Sequence, residues 1–272
     1  MSRTSTAVAL AAIAVVTPAA LAQGPLFLSL ADNIDNGLPG LSPFTDEDAV
    51  GTTLTGAPAS VQFSLASGDL DALHRTGPDT WLVSSLFNGD FNGTIFDDGD
   101  LVEINTTTGT VTTVISNTLF SAGADITGVS VLPNGNYLLS TLSDATLGGL
   151  AFTDGDIIEY NATTDTATLF LSEADLFDDG DGDVYGIHWF SDGRLLLTTN
   201  VDEVISGTTF RDGDAFLYDP LTDTATLAFS EDTFVGGNTW DIDALYFEGE
   251  IPAPGALALF GGALAFARRR RA

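Results

Sequence analysis

The sequence has no cysteine, no lysine, one methionine and two histidines in 272 residues. Without thiols there is no disulfide staple, no thiol nucleophile and no thiolate metal centre. Without lysine the only fixed cations are eight arginines. Five of them stand at the ends: Arg3, Arg268, Arg269, Arg270 and Arg271. Between the ends, Arg75, Arg194 and Arg211 face all 38 acidic residues, a formal charge of −35. A field of that sign repels phosphate, so nucleic acid is excluded as a partner. It favours cations, above all hard ones that prefer oxygen ligands, with Ca2+ foremost. Solubility in a saline medium would account for the same charge without any site. Also missing are G-x-S-x-G, H-E-x-x-H, a P-loop and a dinucleotide fingerprint. What the chain does have is 44% hydrophobic residues, 10% aromatics and 29 glycines, enough for a real core. That separates it from a disordered acidic chain. The length fits one large all-β domain or two small ones.

Both ends read as addresses. Arg3 precedes an apolar run from Ala7 to Val16, and Ala20-Leu21-Ala22 follows, the pattern of a secretory signal peptide cut before Gln23. A membrane-spanning helix would need roughly 20 apolar residues. Residues 251–267 carry no charge and lead into Arg268, Arg269, Arg270 and Arg271, a short membrane segment with a positive stop. This tail resembles the PEP-CTERM sorting signal of bacterial exported proteins. Its box here is Pro252-Ala253-Pro254 followed by Gly255, without the central glutamate of that family. The resemblance covers about the last twenty residues. It implies handling by an exosortase-type transpeptidase, membrane attachment through the tail, and an association with extracellular polysaccharide. The predicted organisation is residues 1–22 signal, 23–250 folded domain and 251–272 sorting and anchor segment.

The domain repeats itself four times. One block recurs as Asp69-Leu-Asp-Ala-Leu73, Asp125-Ile-Thr-Gly-Val129, Asp183-Val-Tyr-Gly-Ile187 and Asp241-Ile-Asp-Ala-Leu245. A second is apolar and ends in Ser29, Ser84, Ser140 or Thr198. A third is Phe-x-Asp-Gly/Glu-Asp, from Phe44, Phe96, Phe152 and Phe210. The fourth is Thr-rich and ends in Ser64, Ser116, Ser172 or Ser230. Each block has strand composition and each break has turn chemistry, as at Pro133-Asn-Gly135 and Thr163-Thr-Asp165. Four antiparallel strands per repeat of about 57 residues follow. The phase is informative: residues from 26 lack a first strand, and residues 241–247 are a first strand without a repeat. The two fragments complete one another, which predicts an all-β, four-bladed β-propeller closed by its N- and C-terminal strands. An open sandwich or solenoid would have no need of complementary ends.

The aspartates fall in the connections at one rim of such a ring. One set is Asp46 and Asp48, Asp98 and Asp100, Asp154 and Asp156, Asp212 and Asp214. The other precedes or opens the first strands: Asp69, Asp71, Asp125, Asp241 and Asp243. The densest run holds Asp179, Asp181 and Asp183, alternating as calcium loops do. It is no EF-hand, because Val184 and Phe190 stand where glycine and glutamate are required. Turn formation by Asp-Gly and capping of loop N–H groups explain the same residues without an ion. His74 and His188 occupy matching positions, where the other repeats have Ser130 and Tyr246. They could form an axial acid–base or metal pair with Asp69, Asp125, Asp183 and Asp241, or simply be rings packed between blades. Trp81, Trp189 and Trp240 read as core. Two functions emerge: a non-enzymatic surface or matrix protein that binds Ca2+ and surface components, or an extracellular enzyme of metal-assisted lactonase, lyase or hydrolase type.

Overall fold

A computed structural model describes residues 24–31, 36–121, 123–180, 182–235 and 241–249. The expected signal at 1–22, the expected sorting tail with Pro252, Pro254, Gly255 and Arg268 to Arg271, Trp240 and Asp181 lie outside the described residues. No helix among the described residues is long and apolar enough to cross a membrane.

Sixteen strands, the number expected, form four antiparallel four-stranded sheets. From the innermost strand outward, the first blade is Ile242–Phe247, Leu26–Leu30, Asp48–Thr52 and Ser60–Ser64. The second is Leu70–Gly77, Thr80–Ser85, Leu101–Asn105 and Thr110–Ile115. The third is Ile126–Val131, Tyr137–Thr141, Ile157–Asn161 and Thr166–Leu171. The fourth is Val184–Trp189, Leu195–Thr199, Ala215–Asp219 and Thr224–Phe229. Neighbouring innermost strands touch all the way round, the last meeting the first through Ile242–Phe247. That strand pairs with Leu26–Leu30 from Leu26 opposite Phe247 to Leu30 opposite Ile242. The ring is therefore a four-bladed β-propeller whose first blade takes its inner strand from the far end of the domain.

Composition sets the depth of each strand. The inner two strands of a blade are apolar and mostly buried, as in Leu26–Leu30, buried at every position. Outer strands are largely exposed and, in the second to fourth blades, Thr-rich, as in Thr110–Ile115. The small residue in the first-strand block has a steric cause. Ala72, Gly128, Gly186 and Ala244 share that position, where adjacent inner strands crowd the axis. A Cβ on Gly128 would stand 2.2 Å from the Tyr185 carbonyl oxygen, and one on Gly186 would stand 2.6 Å from Leu245 Cγ. Gly128→Ala is expected to destabilise the fold by about 1–3 kcal/mol through overpacking, read as a lowered melting temperature. An unchanged or raised melting temperature would show that the strands part easily.

Two features depart from the sequence expectation. The Phe-x-Asp-Gly/Glu-Asp block is not a strand. Its Phe ends a short hairpin, its acidic residues form a turn, and the third strand of the blade begins at or just after the last Asp. Asp and Gly disfavour a pleated ladder and favour turns. The hairpins themselves are extra, four of them: Asn36–Leu38 with Leu41–Phe44, Gly89–Phe91 with Thr94–Phe96, Ala145–Leu147 with Leu150–Phe152, and Glu203–Ile205 with Thr208–Phe210. Asn92-Gly93, Gly148-Gly149 and Ser206-Gly207 turn three of them with positive φ at both residues, the geometry of a tight two-residue turn. The serine closing a repeat is also a cap. Ser116, Ser172 and Ser230 accept backbone N–H groups at the start of one-turn helices.

Candidate functional site

The first-strand block places one side chain per blade about the axis, at the face where the hairpins and acidic turns lie. The carbonyls of Asp69, Asp125 and Asp241 accept the N–H groups of Leu86, Leu142 and Ala31 at 2.9, 2.9 and 3.1 Å. These bonds tie the start of each inner strand to the end of its neighbour. Two residues along, the four blades present Asp71, Thr127, Tyr185 and Asp243. These four side chains, with Asp69, line a cavity of about 80 Å³, whose remaining wall is Ala31, Leu86 and Leu142. Asp71 is 4% exposed and Asp243 2%.

Neither carboxylate oxygen of Asp71 has a hydrogen-bond partner among the described residues, and Oδ1 of Asp125 and of Asp243 also lacks one. Asp69 and Asp243 are hydrogen-bonded to each other. Burial pushes Asp71 well above the usual carboxylate range, and the charges of Asp125, Asp243 and Asp69 push it further. Burial does the same to Asp243, with Asp69 adding to it. Asp125 is pushed up to about 7, by burial first and then by Asp98. The Tyr185 phenol is raised to about 12 by burial, Asp243, Asp183 and Asp71. All four blades thus feel one negative centre in a poorly solvated space.

The turn aspartates are otherwise engaged. Asp48, Asp156 and Asp214 each accept, on Oδ2, the N–H three residues back, from Thr45, Thr153 and Arg211 at 2.8, 3.0 and 3.1 Å. On Oδ1, Asp100, Asp156 and Asp214 accept Asn117, Glu173 and Glu231 N–H groups at 2.8, 2.9 and 3.0 Å, and Asp48 accepts the Ser64 hydroxyl. They clamp the turn to the segment leaving the outer strand. Asp154 and Asp212 accept the following glycine N–H groups, Asp98 is exposed, and Asp46 is half-buried. In the Asp-rich loop, Asp178 accepts the Gly207 N–H at 2.9 Å and Asp183 accepts Asn200 Nδ2 at 2.5 Å. Asp179 is exposed. Among the described residues no three His, Asp or Glu side chains converge closely enough to grip a bare ion.

The two histidines are brought together, but with an aromatic ring between them. Tyr246 lies 4.8 Å from the His74 ring and 5.1 Å from the His188 ring, edge to face with both. Burial lowers His74 to about 4; burial, and then His74, lowers His188 to about 3. Both are neutral at pH 7, and neither Nδ1 has a partner among the described residues. His74 follows Asp71 by three residues, about 10 Å along a strand. The imidazoles and the carboxylate cavity are therefore separate features of the axis. Asp71 and Asp243, with Thr127 and Tyr185, form the inner wall; the readable sign was the Asp-x-Asp doublet in two of the four blocks.

The class these features define is an all-β, four-bladed propeller with a carboxylate-lined axial cavity. No protein-family model and no curated protein sequence matches the chain. Among solved structures it is similar to an auxiliary nutrient binding protein from Bacteroides thetaiotaomicron, at 12% identity and a TM-score of 0.36, over 75% of this chain and 49% of that one. It thus spans about half the length of that protein. A protein of unknown function from Bacteroides caccae gives 9% identity and a TM-score of 0.36, over 84% and 99% of the two chains. Virginiamycin B lyase from Staphylococcus aureus gives 10% and 0.33, over 76% and 70%.

Proposed function

We propose that this protein is an exported, non-catalytic surface or matrix component, whose acidic face holds divalent cations and, through them, acidic extracellular polysaccharide. The observation that carries the reading is the gathering of acidic turns, hairpins and the axial cavity on one face of the ring. Carboxylates on both partners would repel, and a shared Ca2+ with flexible oxygen coordination relieves that repulsion. The signal at 1–22 would export the chain. The tail at 251–272 would hold it at the membrane until an exosortase-type transpeptidase acts.

The test is co-sedimentation with alginate, with neutral dextran as control, in matched CaCl2 and NaCl. Retention on alginate in CaCl2 alone is expected, reversed by EDTA. Binding that ignores the cation, or no binding in either salt, would overturn the reading.

A further inference from the structure

The axial cavity poses a problem that the turn aspartates do not. A solvated carboxylate on a rim needs no partner, whereas a buried one must be paired, hydrogen-bonded or neutralised. Asp71 is buried with both oxygens open, and it lines a cavity shared with Asp243, Asp69, Thr127 and Tyr185. Protonation would remove its charge but leave an O–H without an acceptor among the described residues. A cation satisfies both oxygens together and answers the like charges around them.

We propose that this cavity is a resident Ca2+ site, in which Asp71 and Asp243 supply the anionic ligands, Asp69 stands beside them and water completes the shell. Two carboxylates balance the charge of one divalent ion, with the proton of the Asp69–Asp243 hydrogen bond kept on Asp69. About 80 Å³ leaves room for the ion with water around it. Asp69, Asp71 and Asp243 do not converge as a set of three on one point, so water must supply the remaining ligands. An irregular set of two to three carboxylates and water suits Ca2+, whose coordination is flexible, better than Mg2+, which demands an octahedron.

The placement gives the ion a task. Asp243 lies on the closing strand and Asp71 on the inner strand of the next blade, so a shared ion would tie shut the seam where the ring is completed. This goes beyond polysaccharide binding and would hold for the chain alone.

The experiment is calorimetric melting of the full-length chain in detergent, first stripped with EDTA, then in CaCl2 or NaCl of equal ionic strength. An ion that binds only the folded ring at a hundred times its Kd raises the melting temperature by roughly 5–10 °C. The double variant Asp71→Asn, Asp243→Asn is expected to lose the calcium increment. A wild type that responds equally to both salts, or a variant that keeps the increment, would overturn the proposal. Tb3+ gives a second readout. Its emission excited through Tyr185 is expected to fall in Tyr185→Phe with one ion still bound, and undiminished emission would place the ion elsewhere. Calcium-dependent retention on alginate without any calcium increment in melting would sink the axial site and leave the proposed function standing.

Discussion

Deleting residues 242–247 is expected to abolish cooperative folding of the whole domain, not merely of one blade. Ile242, Leu245 and Phe247 on that strand are each at most 1% exposed. Burying such side chains contributes about 1.5–3 kcal/mol apiece, roughly 5–9 kcal/mol together. A domain of ordinary stability has about 5–15 kcal/mol in all. The deletion also bares the edge of Leu26–Leu30 and uncovers the inner faces of the second and fourth blades, which meet the strand on either side. The measurement is far-UV circular dichroism against temperature, and a sharp transition in the truncated chain would show that three blades and a fragment suffice.

The control is a circular permutant. Glu248 N–H donates to the Pro25 carbonyl at 2.9 Å, so Gly249 can be joined to Gly24 through a short turn. The chain is then opened between Asn134 and Gly135, in an exposed turn. Every strand pairing is kept, and a melting temperature close to that of the parent is expected. A permutant that fails to fold would mean that closure depends on covalent order as well as on contact.

The second large effect concerns acid. His74 and His188 ionise near 6.5 when unfolded but only near 4 and 3 in the fold. Between those values the unfolded chain binds more protons, so stability falls as pH falls. At pH 4.5 each histidine has lost about two units, roughly 2.7 kcal/mol, and the pair about 5 kcal/mol. Opposing groups act in the same range. Asp125, Asp46 and Glu231 are raised to about 7, chiefly by burial, and hold protons in the fold, which favours it as pH falls from about 7. The clean quantity is therefore a difference. In His74→Gln, His188→Gln any packing cost is constant with pH, while the histidine contribution to the slope is gone. From pH 7.5 to 4.5 the variant is expected to lose about 5 kcal/mol less than the wild type, or roughly 10–20 °C in melting temperature. Parallel curves would mean that the imidazoles ionise freely in the folded ring.

The ring itself was legible because its cause is periodic. Four first-strand blocks and an orphan strand at each end are patterns of composition, and the small residue in each block reflects contact between inner strands. The hairpins were missed although Asn92-Gly93 and Gly148-Gly149 are plain turn signals, because their strands are only three residues long. The cavity was missed for a different reason. Asp71 and Asp69 differ little in sequence, since both precede or open a strand. That Asp71 ends buried with both oxygens open depends on Tyr185, Thr127 and Asp243 arriving from three other blades, and no local pattern carries that. Likewise no local pattern shows that the N–H groups of Thr45, Asn117 and Glu231 donate to Asp48, Asp100 and Asp214.

The Pro25–Glu248 contact has a mechanical meaning as well. Both ends of the folded domain leave from the same edge of one strand pair, on the face opposite the carboxylate cavity. Tension applied through them pulls Ile242–Phe247 and Leu26–Leu30 apart from that end, along the direction of their hydrogen bonds, which lie across the strands. The ladder then opens one rung at a time, as a zipper does, instead of shearing all at once. Under load the seam of the ring is where this molecule should yield first, and the cavity at the far end of that seam is the last thing the opening reaches.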